Sequence, residues 1–153
     1  MNRLLLIAAL AAAVYFALAP ELRTSDERAM PAPSGTSSAT RGDHDAIIED
    51  AFARHVSGLQ VAGQGRVVKV LRDDDNGSRH QRFIVRLDSG RTVLVAHNID
   101  LAPRIDALRA GDAVTFSGEY EWNPKGGVIH WTHHDPRGRH PAGWIRHDGQ
   151  LYQ

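Results

Sequence analysis

Five short runs of alternating apolar and polar residues constrain the fold of this chain more than any other feature. The runs cover residues 63–72, 81–88, 91–98, 113–122 and 127–134. Alternation of this kind is typical of β-strands that bury one face and expose the other. Two of the gaps are hairpin signals, Ser89-Gly90 and the segment Asn123–Gly126. The pattern therefore predicts a mainly β domain.

A helix is predicted ahead of these runs. Asp43 or Asp45 is a suitable N-cap and Gly58 is a suitable end. The apolar positions between them form one stripe, comprising Ile47, Ile48, Ala51, Phe52 and Val56. A shorter helical connection is predicted at residues 99–112. Three strands, a helical connection and two strands is the order of a small five-stranded OB-like barrel, the oligonucleotide/oligosaccharide-binding fold. Another small β-barrel is the alternative.

The first 42 residues lack this alternation. Arg3 precedes an unbroken apolar run, Leu4–Ala19, and we interpret residues 1–19 as a signal peptide or an N-terminal membrane anchor. Residues 20–42 are rich in Pro, Ser, Thr and Ala without an apolar period, so we expect a disordered linker. The OB-like domain, residues 43–153, is then exported. It is periplasmic or anchored to the inner membrane, and it meets the membrane only through the N-terminal segment.

Charge and cysteine content narrow the classes of partner and chemistry. The chain has 18 Lys+Arg and 18 Asp+Glu, for a formal net charge of +0, so its overall field does not favour nucleic acid. It has no cysteine, which excludes disulfides, thiolate nucleophiles and Cys-type zinc sites. No serine stands in a nucleophile motif. We therefore assign no catalytic residue, and any metal ligand must be His, Asp or Glu.

The segment Gly118–His140 holds four of the nine histidines of the chain. Imidazole and carboxylate ligands suit zinc and similar divalent metals, so the candidate metal ligands are His80, His97, His133, His134, Asp135 and His140. Adjacent residues of a regular strand point to opposite faces, so His133 and His134 cannot both bind one ion there. We expect a hydrogen-bonded network without a cofactor, with zinc or another divalent metal as the alternative.

The two hairpins predict which side chains meet. A two-residue turn at Ser89-Gly90 places Arg82 opposite His97, and His80 lies near both. This register places Val93, Val95 and His97 on the same face of the hairpin as Arg82. The opposite face is more apolar and is predicted to face the core; it comprises Phe83, Val85, Leu87, Thr92, Leu94 and Ala96.

In the second hairpin, a four-residue loop places Tyr120 opposite Ile129 and Glu119 opposite His130. The same register places Gly118 opposite Trp131, which would then lie in the core. The C-terminal tail has four apolar residues, Trp144, Ile145, Leu151 and Tyr152. We expect it to wrap over the barrel and to bring His140 and His147 towards His133 and His134.

Several of these residues are also candidate contacts for a ligand. An exposed indole offers a stacking surface for a sugar or a base, and arginine holds charged groups. The candidate set is Arg82, His97, Glu119, Trp122, His130 and Arg137.

Three stretches, "SRHQRFIVRL", "AHNIDLAPRI" and "GEYEWNPKGGVIHWTHHDP", resemble an uncharacterised bacterial family catalogued as domain of unknown function 3465. The resemblance runs from about Val61 to the C-terminus. It implies an exported bacterial protein and brings no substrate, cofactor or catalytic residue.

The sequence thus predicts an exported OB-like binding or scaffold domain rather than an enzyme. Its partner is unknown, and an envelope protein or an oligosaccharide would suit it. The alternative is a metal-assisted hydrolase, a nuclease or phosphoesterase, built from the histidine–aspartate cluster. That alternative requires at least three of the six candidate metal ligands to converge.

Overall fold

One α-helix and seven β-strands make up the part of the chain that the computed structural model describes, residues 41–153. Helix α1 spans Arg41–Ala53 and is followed by β1 (Leu59–Val70), β2 (His80–Leu87), β3 (Thr92–Asn98), β4 (Ala113–Glu121), β5 (Val128–His130), β6 (Trp144–His147) and β7 (Gln150–Tyr152). The predicted export segment and all but the last two residues of the predicted linker lie outside the described residues. Within residues 41–153, no helical segment has the length and hydropathy of a membrane span.

Strands β1 to β5 close into a barrel. Their order is β1-β2-β3-β5-β4, and β4 pairs back onto β1. The pairing of β3 with β5 is parallel and the other pairings are antiparallel. The prediction of a mainly β, closed five-stranded barrel is therefore confirmed, whereas residues 99–112, predicted as a helical connection, form a series of turns.

Strand β1 is long enough to take part in both halves of the barrel. Its residues 59–66 pair with β4, and its residues 65–70 pair with β2. Gly65 belongs to both pairings, opposite Val114 and Leu87. A Cβ at Gly65 would lie 2.2 Å from the Arg86 carbonyl oxygen, so the close approach of the neighbouring strand requires glycine here.

The register of the β2–β3 hairpin differs from the predicted one by one residue. The Leu87 amide donates to the Arg91 carbonyl (2.8 Å) and the Gly90 amide to the Leu87 carbonyl (3.0 Å). The loop therefore has three residues, Asp88–Gly90, with Gly90 in the left-handed region at φ 92°, a common hairpin form.

A shift of one residue exchanges the two faces of a strand. In the structure, His97 pairs with Gln81, and Phe83 pairs with Val95. Val93, Val95 and His97 are consequently buried in the barrel, and the predicted pairing of His97 with Arg82 is wrong.

The β4–β5 hairpin has the predicted register where it is paired. Tyr120 pairs with Ile129, and Glu119 pairs with His130. Beyond His130 the strand stops, because Trp131 adopts φ 51°. Gly118 therefore approaches the His130 carbonyl rather than the Trp131 ring. The predicted core position of Trp131 is wrong, and its side chain is partly exposed.

The chain leaves the barrel after β5 and returns to the same edge of β4. Strand β1 occupies one edge of β4, so β5 and β6 share the other edge. Strand β5 pairs with residues 119–121, and β6 pairs with residues 114–117. The intervening residues 131–143 form a loop that we call the excursion.

The C-terminal tail contributes to the core through β6 and β7. Ile145 is fully buried and Tyr152 is nearly so. The two strands are joined by Asp148-Gly149, both at positive φ (48° and 77°), as in a two-residue hairpin turn.

Helix α1 packs on the barrel through Ile48 and Ala51, both buried. The prediction that Ile47 belongs to the apolar stripe is wrong, since it is 49 % exposed. The helix also holds the β2–β3 loop. Arg91 Nε donates to Glu49 Oε1 (2.8 Å), and the Ser89 amide donates to Asp45 Oδ2 (2.7 Å).

Candidate functional site

The outward face of β2 and β3, here the β2–β3 face, is one candidate site. OB-like barrels bind their ligands on this face, between the β1–β2 and β4–β5 loops. A surface cavity of about 300 Å³ lies there. Leu71 of the β1–β2 loop and the cross-strand pair Ile84 and Leu94 provide its aliphatic lining. Asn123 and Lys125 of the β4–β5 loop provide polar groups.

A group of carboxylates and imidazole on β4 and β5 is the second candidate site, which we call the β4–β5 cluster. It consists of Glu119, Glu121 and His130, and one ligand atom from each lies within 4.8 Å of the others. Strand geometry explains the grouping. Residues two apart on β4 share a face, and His130 is the cross-strand partner of Glu119.

His130 Nε2 is buried and has no hydrogen-bond partner in the part of the chain that the structure describes. It lies 3.4 Å from Glu119 Oε1 and 3.9 Å from Glu121 Oε1. Burial lowers the pKa of His130, against the opposing influence of the two carboxylates. The lowered pKa favours a neutral imidazole, whose nitrogen faces two carboxylate oxygens.

The excursion covers this cluster from one side. Asp135 organises the loop, because its carboxylate accepts hydrogen bonds from the backbone amides of Arg137 (2.9 Å), Arg139 (2.7 Å) and His140 (3.1 Å). These hydrogen bonds, that of Arg137 foremost, lower the pKa of Asp135. The loop places the His140 ring in a stack on Trp131, with centroids 3.8 Å apart. His140 Nδ1 then lies 3.5 Å from Glu119 Oε2.

The six residues predicted as metal ligands do not converge. Among residues 41–153, the group with metal-ligand spacing is the β4–β5 cluster, which contains none of the six. His97 Nδ1 lies 2.8 Å from Thr132 Oγ1, and its Nε2 lies 3.1 Å from the Pro103 carbonyl oxygen. Both ring nitrogens are thus engaged inside the barrel.

The other predicted metal ligands lie in separate settings. His133 is buried and its Nδ1 lies 2.8 Å from the His134 carbonyl oxygen, whereas the His134 side chain is exposed. His80 begins β2, where its backbone pairs with Asp74. The convergence that the hydrolase alternative required is absent from the described residues.

The residues predicted to contact a ligand fall on different parts of the barrel. Glu119 and His130 meet in the β4–β5 cluster. Arg82 shares the outward face of β2 with Ile84, where its guanidinium donates to the Arg72 carbonyl and pairs with Asp74.

Trp122 packs against Phe52 of α1 and against His55, which follows the helix. Its ring lies 6.4 Å from that of Phe52 and 4.2 Å from that of His55, and its Nε1 donates to the Phe52 carbonyl. These contacts occupy part of the indole, and the residue is half-buried. Arg137 is exposed at the outer part of the excursion.

Sequence reasoning missed Glu121 and the aliphatic lining of the cavity. The spacing of Glu119 and Glu121, two residues apart on a strand opposite a histidine, was the available signal for the cluster. It also missed the role of His147, whose Nε2 lies 2.8 Å from Asp112 Oδ2. That buried contact ties the C-terminal hairpin to the turn before β4, away from His133 and His134.

Comparison with known proteins gives one match of substantial length. A family model described as "Protein of unknown function (DUF3465)" matches residues 32–153. No curated protein matches the chain.

Proposed function

Since the chain belongs to the DUF3465 family, a family of unknown function, we propose a function from the structure of its barrel. The protein is an exported, non-enzymatic binding domain. Its β2–β3 face holds an apolar segment of an envelope protein. The observation that carries the proposal is the aliphatic cavity on this face. Its volume of about 300 Å³ suits one or two side chains of a partner, at the lower end of the range for binding pockets.

The chemistry of the lining favours a protein segment over a sugar or a base. Leu71, Ile84 and Leu94 are aliphatic, and none of the lining residues within 41–153 is aromatic. Sugars and bases are usually held by aromatic rings, and Trp122 packs against Phe52 outside the cavity lining. Lys125 at the rim adds a preference for a segment with an acidic residue beside its apolar anchor.

A photocrosslinking experiment on the full chain tests this proposal. A photoreactive residue at position 94 should give a defined adduct with an envelope protein, whereas the same residue at exposed position 151 on β7 should not. Ile84→Asp should abolish the adduct, and Lys125→Glu should weaken it, with unchanged circular dichroism. Adducts of equal yield at positions 94 and 151, or an adduct with a polysaccharide, would contradict the proposal.

A further inference from the structure

We propose that the β4–β5 cluster is a binding site for a divalent transition-metal ion such as zinc, with Glu119, Glu121 and His130 as ligands. The site lies on the paired strands β4 and β5 and involves none of the residues that line the β2–β3 cavity. It is therefore independent of the proposed protein-binding function.

The spacing of the three side chains fits a metal. Zinc bonds to nitrogen and oxygen of about 2.0–2.1 Å, at tetrahedral angles, place neighbouring ligand atoms roughly 3.3–3.4 Å apart. His130 Nε2 lies at this spacing from Glu119 Oε1, at 3.4 Å, and slightly farther from Glu121 Oε1, at 3.9 Å. Glu121 is 42 % exposed, so its side chain has room to rotate towards the other two ligands.

Hydrogen bonding does not account for the arrangement. A normal N–H···O bond spans about 2.7–3.2 Å, whereas the buried His130 Nε2 lies 3.4 Å from Glu119 Oε1 and makes no hydrogen bond within residues 41–153. A buried polar atom without a partner is unfavourable. A cation between the imidazole and the two carboxylates would satisfy the nitrogen and neutralise the two negative charges.

The set of donor atoms selects the class of metal. Calcium and magnesium prefer oxygen ligands alone, whereas imidazole suits zinc, copper and nickel. One imidazole with two carboxylates leaves a coordination position for water or a further ligand. The cluster therefore fits zinc or a neighbouring transition metal.

His140 is a positioning residue for this site. Glu119 directs Oε1 towards His130 and Oε2 towards His140. The His140 ring is fixed by its stack on Trp131 and by the Asp135 hydrogen bond to its backbone amide. The His140–Glu119 contact, at 3.5 Å, is longer than a hydrogen bond. Its shortening to a hydrogen bond when a metal binds would strengthen binding by about 10- to 100-fold.

Calorimetric titration of zinc chloride into the metal-free full chain, purified without a polyhistidine tag, tests the proposal. We expect one equivalent to bind at pH 7.5, a zinc-dependent rise in melting temperature, and weaker binding in acid, where protons compete for the ligands. Glu121→Gln and His130→Ala should weaken binding by more than about 100-fold, and His140→Ala by about tenfold with unchanged stoichiometry.

His134→Ala is the matched control, because this exposed histidine lies outside the cluster. It should bind zinc as the parent does. Glu121→Gln replaces a partly exposed side chain by its isostere, so it tests the site even if His130→Ala fails to fold. Equal affinity of Glu121→Gln and the parent, equal losses in His134→Ala, or selection of calcium over zinc would overturn the proposal.

Discussion

At the scale of single residues, His97 is a titratable side chain held away from water. It is fully buried, between Thr132 and the Pro103 carbonyl. Because a carbonyl oxygen can only accept, Nε2 carries the proton and Nδ1 accepts from the Thr132 hydroxyl. Burial lowers the pKa of His97 to about 4, so the folded protein holds a neutral imidazole.

Because the pKa of His97 is lowered, we expect protonation of this residue to destabilise the fold in acid. An unfolded chain protonates His97 near its ordinary pKa of about 6.5, whereas the folded chain resists until about 4. The unfolded state therefore gains protons first, and the free energy of unfolding falls as the pH drops below about 6.5. The full effect is about 3 kcal/mol, reached near pH 4.

Urea unfolding of the parent and of His97→Gln between pH 7 and pH 4.5 measures this effect. The variant should be less stable at pH 7 but should lose less stability on acidification, since it has no imidazole to protonate. His134→Gln, at an exposed position, should keep the slope of the parent. If His97→Gln kept that slope too, His97 would have to be charged within the fold.

At the scale of elements, the sequence predicts the strands better than the loops between them. All five predicted barrel strands are present, because burial of one face enforces alternation along each strand. The loop at Ser89-Gly90 has the composition of both two- and three-residue turns. The three-residue form prevails because it places Val93 and Val95 beside Phe83 in the core.

The same reasoning explains which parts of the candidate site could be predicted. The pairing of Glu119 with His130 followed from the length of the β4–β5 loop. The position of His140 could not follow, since it depends on the left-handed conformation of Trp131 and on the hydrogen bonds of Asp135 within the excursion. Loop conformations of this kind have no periodic signal in a sequence.

The contact between α1 and the β2–β3 loop yields a prediction about Glu49. Its carboxylate accepts from the Arg91 guanidinium and the Ser89 hydroxyl, and Arg91 also lies 3.8 Å above the centre of the Phe52 ring. The hydrogen bond from Arg91, above all, lowers the pKa of Glu49. Glu49→Gln should lower the free energy of unfolding by about 1 kcal/mol, since the pair is partly exposed.

Asp50→Asn is the matched control in the same helix. Asp50 pairs with Arg54 in solvent, with side chains 63 % and 68 % exposed, and such pairs contribute roughly 0–0.5 kcal/mol. Urea unfolding at pH 7 compares the two variants. Because the folded pKa of Glu49 is lowered, its contribution should be present above the unfolded pKa and should disappear as the pH falls. Equal stability of Glu49→Gln and the parent would show that the Glu49 contacts do not help to hold α1 on the barrel.

At the scale of the whole molecule, the predicted division is an N-terminal export segment, a linker and the barrel. Residues 1–19 and most of the linker lie outside the described residues, so the division rests on the apolar run Leu4–Ala19 and the polar composition after it. The predicted export matters for the β2–β3 face, because an exported barrel would meet envelope proteins.

A reporter fusion tests the export prediction. Residues 1–45 fused to an enzyme that is active only outside the cytoplasm should give activity, and the same fusion without residues 1–19 should not. A reporter activity that is confined to the cytoplasm would contradict the predicted localisation and the envelope partner that depends on it.

The edge of β4 that β5 and β6 share affects which sequence changes such a protein can tolerate during evolution. His130 and Trp144 pair with residues only two apart on β4, roughly 7 Å along a strand, while the chain between them leaves the barrel. Lengthening or shortening such a loop changes the free energy of its closure only slowly. Insertions, deletions and substitutions within the outer residues 136–142 can therefore accumulate while the barrel and the buried Thr132, His133 and Asp135 persist. They would bring a different arrangement of side chains above Glu119. The barrel would then be kept during evolution, while the residues above the β4–β5 cluster and the chemistry that they allow would vary independently.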